Sequence, residues 1–209
     1  MHNKSCIMRM SKYRSVLTNL KLLNFSKVFS DNLADASGES AAQVRKDFSV
    51  FAIPGNRRGG YLVDDLTTEI DKILGKDKIQ KFIVAGIGNM GRALLNYPGF
   101  EKNSIKILAG FDVDQTKHAP NADIPILPMD KVKDFISQSH IQFAIICVPS
   151  LAAPQVADIL LASGIKGILN FAPIRLKERE GCVIENINLV TELENIIYFV
   201  NALEKTENA

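Results

Sequence analysis

The 209 residues hold 46% hydrophobic and 23% charged side chains with a net charge of +2, an ordinary balance for one large or two small globular domains. No apolar run reaches the roughly 18 residues that a membrane span needs, and the opening M-H-N-K-S-C-I-M-R-M lacks the apolar centre of a secretory signal. Three cysteines (Cys6, Cys147 and Cys182) without C-x-x-C spacing argue against a disulfide framework or metal site and for a cytoplasmic protein.

From the N-terminus, Met8 to Leu23 places Met10, Tyr13, Val16, Leu17, Leu20 and Leu23 at helical spacing. Val28-Phe29 reads as a short strand. Ser30 or Asp31 then caps a helix that stops near Gly38. Glu39-Ser40 turns into a third helix, A-A-Q-V-R-K-D-F-S-V-F. Its Ala41, Val44, Phe48 and Phe51 share one face, while Gln43, Arg45, Lys46 and Ser49 lie towards solvent. Two short helices joined by a tight glycine turn, the second basic on its outer face, read as a helix-turn-helix. The following P-G-N-R-R-G-G-Y predicts a hairpin with Arg57 and Arg58 at its tip. Those arginines suit a narrow minor groove, as in the wing of a winged helix; an ordinary surface loop is the competing reading. Leu62 to Leu74 is a further amphipathic helix, and Gly75-Lys76-Asp77 links it to a second domain. Residues 1–62 hold ten Lys and Arg against four Asp and Glu, and the remainder holds 15 against 19. A basic head on an acidic body points to a polyanionic partner.

The second domain opens with K-F-I-V-A-G-I-G-N-M-G-R-A-L-L. Phe82 to Ala85 is apolar without alternation, as in a strand buried on both faces of a parallel sheet. Gly86, Gly88 and Gly91 then form G-x-G-x-x-G ahead of a helix through Arg92 to Tyr97. Gly86 permits the turn, Gly88 lets backbone approach a pyrophosphate, and Gly91 lets the helix sit close to the sheet. A second strand, Ile105 to Phe111, delivers Asp112, 21 residues past Gly91. There a carboxylate can accept from both hydroxyls of an adenosine ribose and would repel a 2′-phosphate, which favours NADH or NAD⁺ over the phosphorylated cofactor. Alternating units continue: a crossing at 125–128, a helix at 129–137, a strand at 142–148 with Cys147 inside it as a buried thiol, a helix at 152–163, and strands at 165–171 and 183–187. The final stretch is apolar at Leu189, Leu193, Ile196, Ile197, Val200 and Leu203, a stripe wide enough to predict burial in a partner subunit.

These residues carry a resemblance over nearly the whole chain. Q-V-R-K-D-F-S at 43–49, G-N-R-R-G-G-Y at 55–61, G-I-G-N-M-G-R-A-L-L-N-Y at 86–97, F-D-V-D at 111–114 and G-I-K-G-I-L-N-F-A-P at 164–173 are similar to motifs of the Rex family of redox-sensing transcriptional repressors. The resemblance implies an α/β chain in three parts: a winged-helix DNA-binding domain over 1–77, a doubly wound Rossmann domain binding NADH or NAD⁺ over 78–188, and a C-terminal helix over 189–209 exchanged within a homodimer. It implies a repressor that leaves double-stranded operator DNA when NADH rises. Gly86, Gly88, Asn89, Met90 and Gly91 would hold the diphosphate and Asp112 the ribose. Tyr97 and Phe171 would lie near the nicotinamide ends of the two sites, and Arg45, Lys46 and Arg57, with Arg58, would contact DNA.

Several positions depart from the family pattern. Arg58 stands where the family usually has glycine, and Pro154 replaces a glutamine. Of the family's R-L-P-x-Y-x-R, Arg9 and Tyr13 match, but Ser11 replaces proline and Ser15 the second arginine. Asn188 stands in place of aspartate. In the family that arginine pairs with that aspartate in one redox form, and the aspartate turns to the tyrosine at position 97 in the other. With both charges missing, the resemblance implies a weakened redox response, and Arg14 is only an imperfect substitute for the lost arginine.

Two other classes compete. An NAD-dependent oxidoreductase would need a substrate domain and an acid/base group. Instead some 75 residues go to the head, and His2, His118 and His140 sit in loops or at the start. A coenzyme A-binding module looks similar at this level, but Asp112 suits a ribose diol better than a phosphorylated ribose. The expected protein is therefore not an enzyme.

Overall fold

A computed structural model describes residues 3–55 and 59–207. It divides into two compact units, Met1–Ile79 and Gln80–Ala209.

In the first unit, helix α1 (Lys4–Leu22) is capped by the Asn3 side chain, which accepts from the Ser5 N–H. It begins four residues before the sequence pattern suggests and ends before Leu23, which is exposed. Met10, Tyr13 and Leu17 form its buried stripe. Strand β1 (Lys27–Val28) follows, then α2 (Ser30–Ser37). The cap of α2 is Phe29 rather than Ser30 or Asp31, and the Asn32 side chain reaches back to accept from the Phe29 N–H at 3.1 Å. Gly38 closes this helix at φ +71°, a left-handed conformation that suits glycine. Ser40 caps α3 (Ala41–Val50), its hydroxyl accepting from the Gln43 N–H. Strand β2 (Tyr61–Leu62) leads into α4 (Val63–Ile73).

Residues 56–58, the tip of the expected hairpin over 54–61, lie outside the described residues; of its described flanks, Tyr61 pairs with an upstream strand. The antiparallel ribbon pairs Lys27 with Leu62 and Val28 with Tyr61, so the glycine-rich loop feeds one strand of a ribbon whose other strand lies far upstream. Gly60 has φ +66°, and a β-carbon there would stand 2.8 Å from the Val28 carbonyl oxygen, so the ribbon closes only over glycine. Arg57 and Arg58 lie outside the described residues. Val44 and Phe48 of α3, Leu33 of α2, and Val63, Leu66 and Ile70 of α4 complete the core around α1.

The second unit is a six-stranded parallel sheet. Its strands are β3 (Gln80–Ala85), β4 (Ile105–Asp112), β5 (Ile126–Pro128), β6 (Phe143–Ile146), β7 (Gly167–Asn170) and β8 (Val183–Asn186), in the order β5-β4-β3-β6-β7-β8. Counted within the unit this is 3-2-1-4-5-6, the order of a dinucleotide-binding doubly wound sheet. Along β3, Ile83 and Ala85 pack on one face with α6 (Val132–Ser139) and α7 (Ala153–Ala162). Phe82 and Val84 pack on the other, with Leu94 and Leu95 of α5 (Asn89–Leu95). Burial on both sides explains why this strand shows no polar alternation. The helix expected from Met129 is preceded by a tight 3₁₀ turn, Met129–Lys131. Pro154 falls in the first turn of α7, where no backbone N–H is required, so this departure costs the fold nothing.

The last helix, α8 (Leu189–Glu207), starts at Asn188, whose Oδ1 accepts from the Val190 N–H at 3.0 Å. Leu189, Leu193, Ile196, Ile197, Val200 and Leu203 are all exposed on the single chain.

Candidate functional site

The sheet order reverses between β3 and β6, and the carboxyl ends of strands flanking such a point form a crevice. Here a cavity of about 550 Å³ lies there, lined by Gly86, Gly88, Asn89, Met90, Asp112, Phe171 and their neighbours. The three glycines do different work. Gly86 has φ +93°, and a β-carbon would stand 2.7 Å from both the Cys147 carbonyl and the Val148 side chain. At Gly91 a β-carbon would collide with the Gly86 carbonyl oxygen. Gly88 alone has no atom within 4 Å of that position: its missing side chain leaves open space in the cleft. That is the approach a diphosphate needs, beside the first turn of a helix whose leading N–H groups lack partners within the helix.

Asp112 ends β4 and is buried. Its Oδ2 accepts from the Ile87 N–H at 2.7 Å and from Lys117 Nζ at 3.0 Å, and its Oδ1 accepts from the Asp114 N–H at 2.9 Å. Burial opposes its ionisation, but the Asp114 and Ile87 N–H groups and Lys117 outweigh burial and hold the carboxyl below its usual range. A carboxylate has about four acceptor positions. Three are taken, so the expectation that Asp112 receives both ribose hydroxyls requires a resident donor to share or leave. Lys117, which carries no mark in the sequence, also lies 3.8 Å from Asp114, so the two carboxylates and the one ammonium together carry a single negative charge. The residues present fit a dinucleotide.

Phe171 reaches the cleft on a loop pinned from below. Asn170 is fully buried; its Nδ2 donates to the Ile174 carbonyl and to Asn186 Oδ1, and its Oδ1 accepts from the Ala172 N–H. Cys147, expected to be buried, is half-buried and lines the same cleft, because β6 ends at Ile146, two residues short of the expected end at 148. Burial pushes its thiol up to about 11. Tyr97 lies away from this cavity: it is exposed beyond the end of α5 and packs edge-on against Phe100.

In the first unit α3 shows Arg45, Lys46 and Ser49 to solvent. Arg45 is 3.8 Å from Asp31 of α2, beside a groove bounded by Phe29, Gly60 and Tyr61. The inner side of the same helix carries a buried charge. Asp47 is 1% exposed and accepts from Arg9 Nε and Nη2 at 2.6 and 2.7 Å, Tyr13 Oη at 2.9 Å, Gln43 Nε2 at 2.8 Å and the Cys6 thiol at 3.4 Å. Burial opposes its ionisation, but these donors bring its pKa down to about 2. Sequence reasoning missed this centre, yet its signal was present: position 47 shares the face of Val44 and Phe48, and an acid on an apolar face requires partners. Arg14 is not available to replace the missing arginine at position 15, because it pairs with Asp71 of α4 at 2.7 Å. Among the described residues no cluster of three potential metal ligands occurs, and no helix is long and apolar enough to cross a membrane.

Comparison with known proteins agrees with both halves. The family profile "Putative DNA-binding protein N-terminus" matches residues 4–49, and "CoA binding domain" matches 77–174. The redox-sensing transcriptional repressor Rex of Streptococcus pyogenes serotype M5 (strain Manfredo) is 37% identical over 203 residues, covering 95% of this chain and 94% of the relative. Rex of Streptococcus equi subsp. equi (strain 4047) is 36% identical over 201 residues, with the same coverage. Among solved structures, the Rex-family repressor RSP superposes with a TM-score of 0.89 at 32% identity, over 100% of this chain and 98% of its own. RSP in complex with NAD⁺ and operator DNA gives 0.92 at the same identity, over 100% and 96%. With a glycine-lined cleft on one unit, a helix-turn-helix on the other and relatives matched from end to end, the chain belongs to the Rex family of redox-sensing transcriptional repressors.

Proposed function

We propose that the chain is a DNA-binding transcriptional repressor that reads the balance of NADH and NAD⁺. The α1–α4 head binds double-stranded operator DNA, the sheet unit binds the dinucleotide, and NADH weakens the hold on DNA. The observation that carries this reading is the pairing, on one chain, of a cleft into which Gly88, alone of the three motif glycines, opens free space, with a helix-turn-helix whose outer face is basic. The full-length likeness to RSP, solved with NADH and with NAD⁺ plus operator DNA, supports it.

Within that reading Gly86, Gly88, Asn89, Met90 and Gly91 surround the diphosphate, Asp112 holds the adenosine ribose, and Phe171 lies towards the nicotinamide. Arg45 and Lys46 contact DNA from α3, and Arg57 and Arg58 from the wing. The chain acts as a cytoplasmic homodimer in which α8, apolar and exposed on one chain, is covered by the partner subunit. Tyr97, outside its own cleft, serves the partner's nicotinamide end. The three-part division at 77 and 188 follows the same scheme. No catalytic step is assigned: the dinucleotide is an effector, and this chain's residues bind it.

Gel-shift titration on a palindromic A/T-rich duplex, with NADH or NAD⁺ added, tests this. NADH is expected to weaken binding more than NAD⁺. Absence of DNA binding, or equal effects of the two forms, would overturn the reading. Arg45→Ala should lower affinity for operator more than for random DNA, because a base contact discriminates by about 1–3 kcal/mol. Changing Arg57 and Arg58 should weaken both alike and flatten the salt dependence.

A further inference from the structure

One polar side chain on α3 has its orientation set from inside the protein. Gln43 is the third residue of the helix and half-buried. Its Nε2 donates to Asp47 Oδ1 at 2.8 Å. An ionised carboxylate can only accept, so the Gln43 amide must turn its NH₂ group inward. Asp47 cannot swing away, since Arg9 clamps both its oxygens and Tyr13 donates to one of them. The amide is thus held in one of its two senses, leaving Oε1 and the second N–H without a partner among the described residues.

Residues at the start of a recognition helix are those that reach base edges in the major groove. A carboxamide with one free acceptor and one free donor matches adenine, whose N6 donates and whose N7 accepts. An amide fixed beforehand loses little freedom on binding. We propose that Gln43 reads an adenine of the operator, with Asp47 as the positioning residue that sets the sense of its amide. This rests on α3 being the helix that enters DNA, and the test separates the two.

The full-length protein is used to select a preferred duplex from a randomised pool, and each adenine of that duplex is then replaced by 7-deazaadenine. The analogue still pairs with thymine but lacks the N7 acceptor. The expected result is a loss of about fivefold or more at one adenine per half-site. Gln43→Ala should bind the parent duplex more weakly and be indifferent to that replacement, with an unchanged salt slope. Asp47→Asn, whose amide can face either way, should blunt the same effect, and its far-UV spectrum and melting temperature report whether it folds. If Gln43→Ala keeps the full 7-deazaadenine profile, the assignment of Gln43 is overturned while α3 stands. If no sequence is enriched, or if Arg45→Ala with Lys46→Ala leaves DNA binding unchanged, the reading of α3 falls and the assignment with it.

Discussion

At the scale of single residues, the three glycines of one motif separate folding from binding. Gly86→Ala puts a side chain at φ +93° and against the Cys147 carbonyl, so it should lower the melting temperature of the chain. Gly88→Ala meets nothing within 4 Å and should leave melting unchanged while abolishing stabilisation by NADH. Equal melting losses in the two variants would show that Gly88 is packed in solution and not open to ligand. Asp112 and Lys117 make a second residue-scale case. If Asp112 faces the adenosine ribose as proposed, its carboxylate would repel a 2′-phosphate, and NADH should protect against thermal unfolding better than NADPH. Lys117, 3.0 Å from that carboxylate, offsets part of the repulsion. Lys117→Ala should therefore widen the gap between the two cofactors, and Asp112→Ala should narrow it. A gap that ignores both substitutions would place the ribose elsewhere.

At the scale of elements, α1 and α3 are joined by one buried carboxylate, and acid should part them. Asp47 titrates at about 2 in the folded chain, against an ordinary 3.8. Its stabilising contribution is therefore complete above about pH 4 and lost as pH falls towards 2, on the order of 2 kcal/mol in all. Asp47→Asn should destabilise the chain by about 3 kcal/mol at pH 6, because Arg9 is left without its counter-charge. The difference in melting temperature between wild type and variant should shrink between pH 4 and pH 2.5. A difference constant over that range would mean that the carboxylate adds nothing beyond its shape. Elements of this kind are the least legible in the sequence. The strands of the sheet and the glycine turn can be read directly, because burial on both faces and steric need leave local marks at Phe82–Ala85 and Gly86–Gly91. The Asp47 centre leaves only half a mark: an acid on the apolar face of α3 shows that partners are needed, but Arg9 and Tyr13 lie 38 and 34 residues away in the chain and nothing local names them. The ribbon is hidden for the same reason: β2 pairs with Lys27–Val28 and not with its own loop. Lys117 is hidden too, because a lysine in a polar loop looks solvated until its carboxylate partner is placed.

At the scale of the whole molecule, the open question is how far NADH can move the head. The family likeness implies that an arginine at position 15 and an aspartate at position 188 couple the two units, and this chain has serine and asparagine there. The Asn188 side-chain oxygen already accepts from two N–H groups at the start of α8, and Arg14 is committed to Asp71. Neither neighbour restores the lost pair. Ser15 and Asn188 are both exposed on the single chain, so the absence of the two charges costs the fold of that chain little. A neutral hydrogen bond is only about half as strong as a charge-assisted one, so the two ligands should sense each other weakly. We expect a coupling free energy below about 1 kcal/mol, where 1–3 kcal/mol is usual for allosteric pairs. Operator affinity with and without saturating NADH measures this directly. NADH should weaken binding less than about fivefold. By linkage, saturating operator should weaken NADH binding by the same factor. The double change Ser15→Arg with Asn188→Asp should enlarge both responses together, whereas either change alone adds an uncompensated charge and should not. A tenfold or greater loss of operator affinity in the wild-type chain would show that coupling runs through other residues.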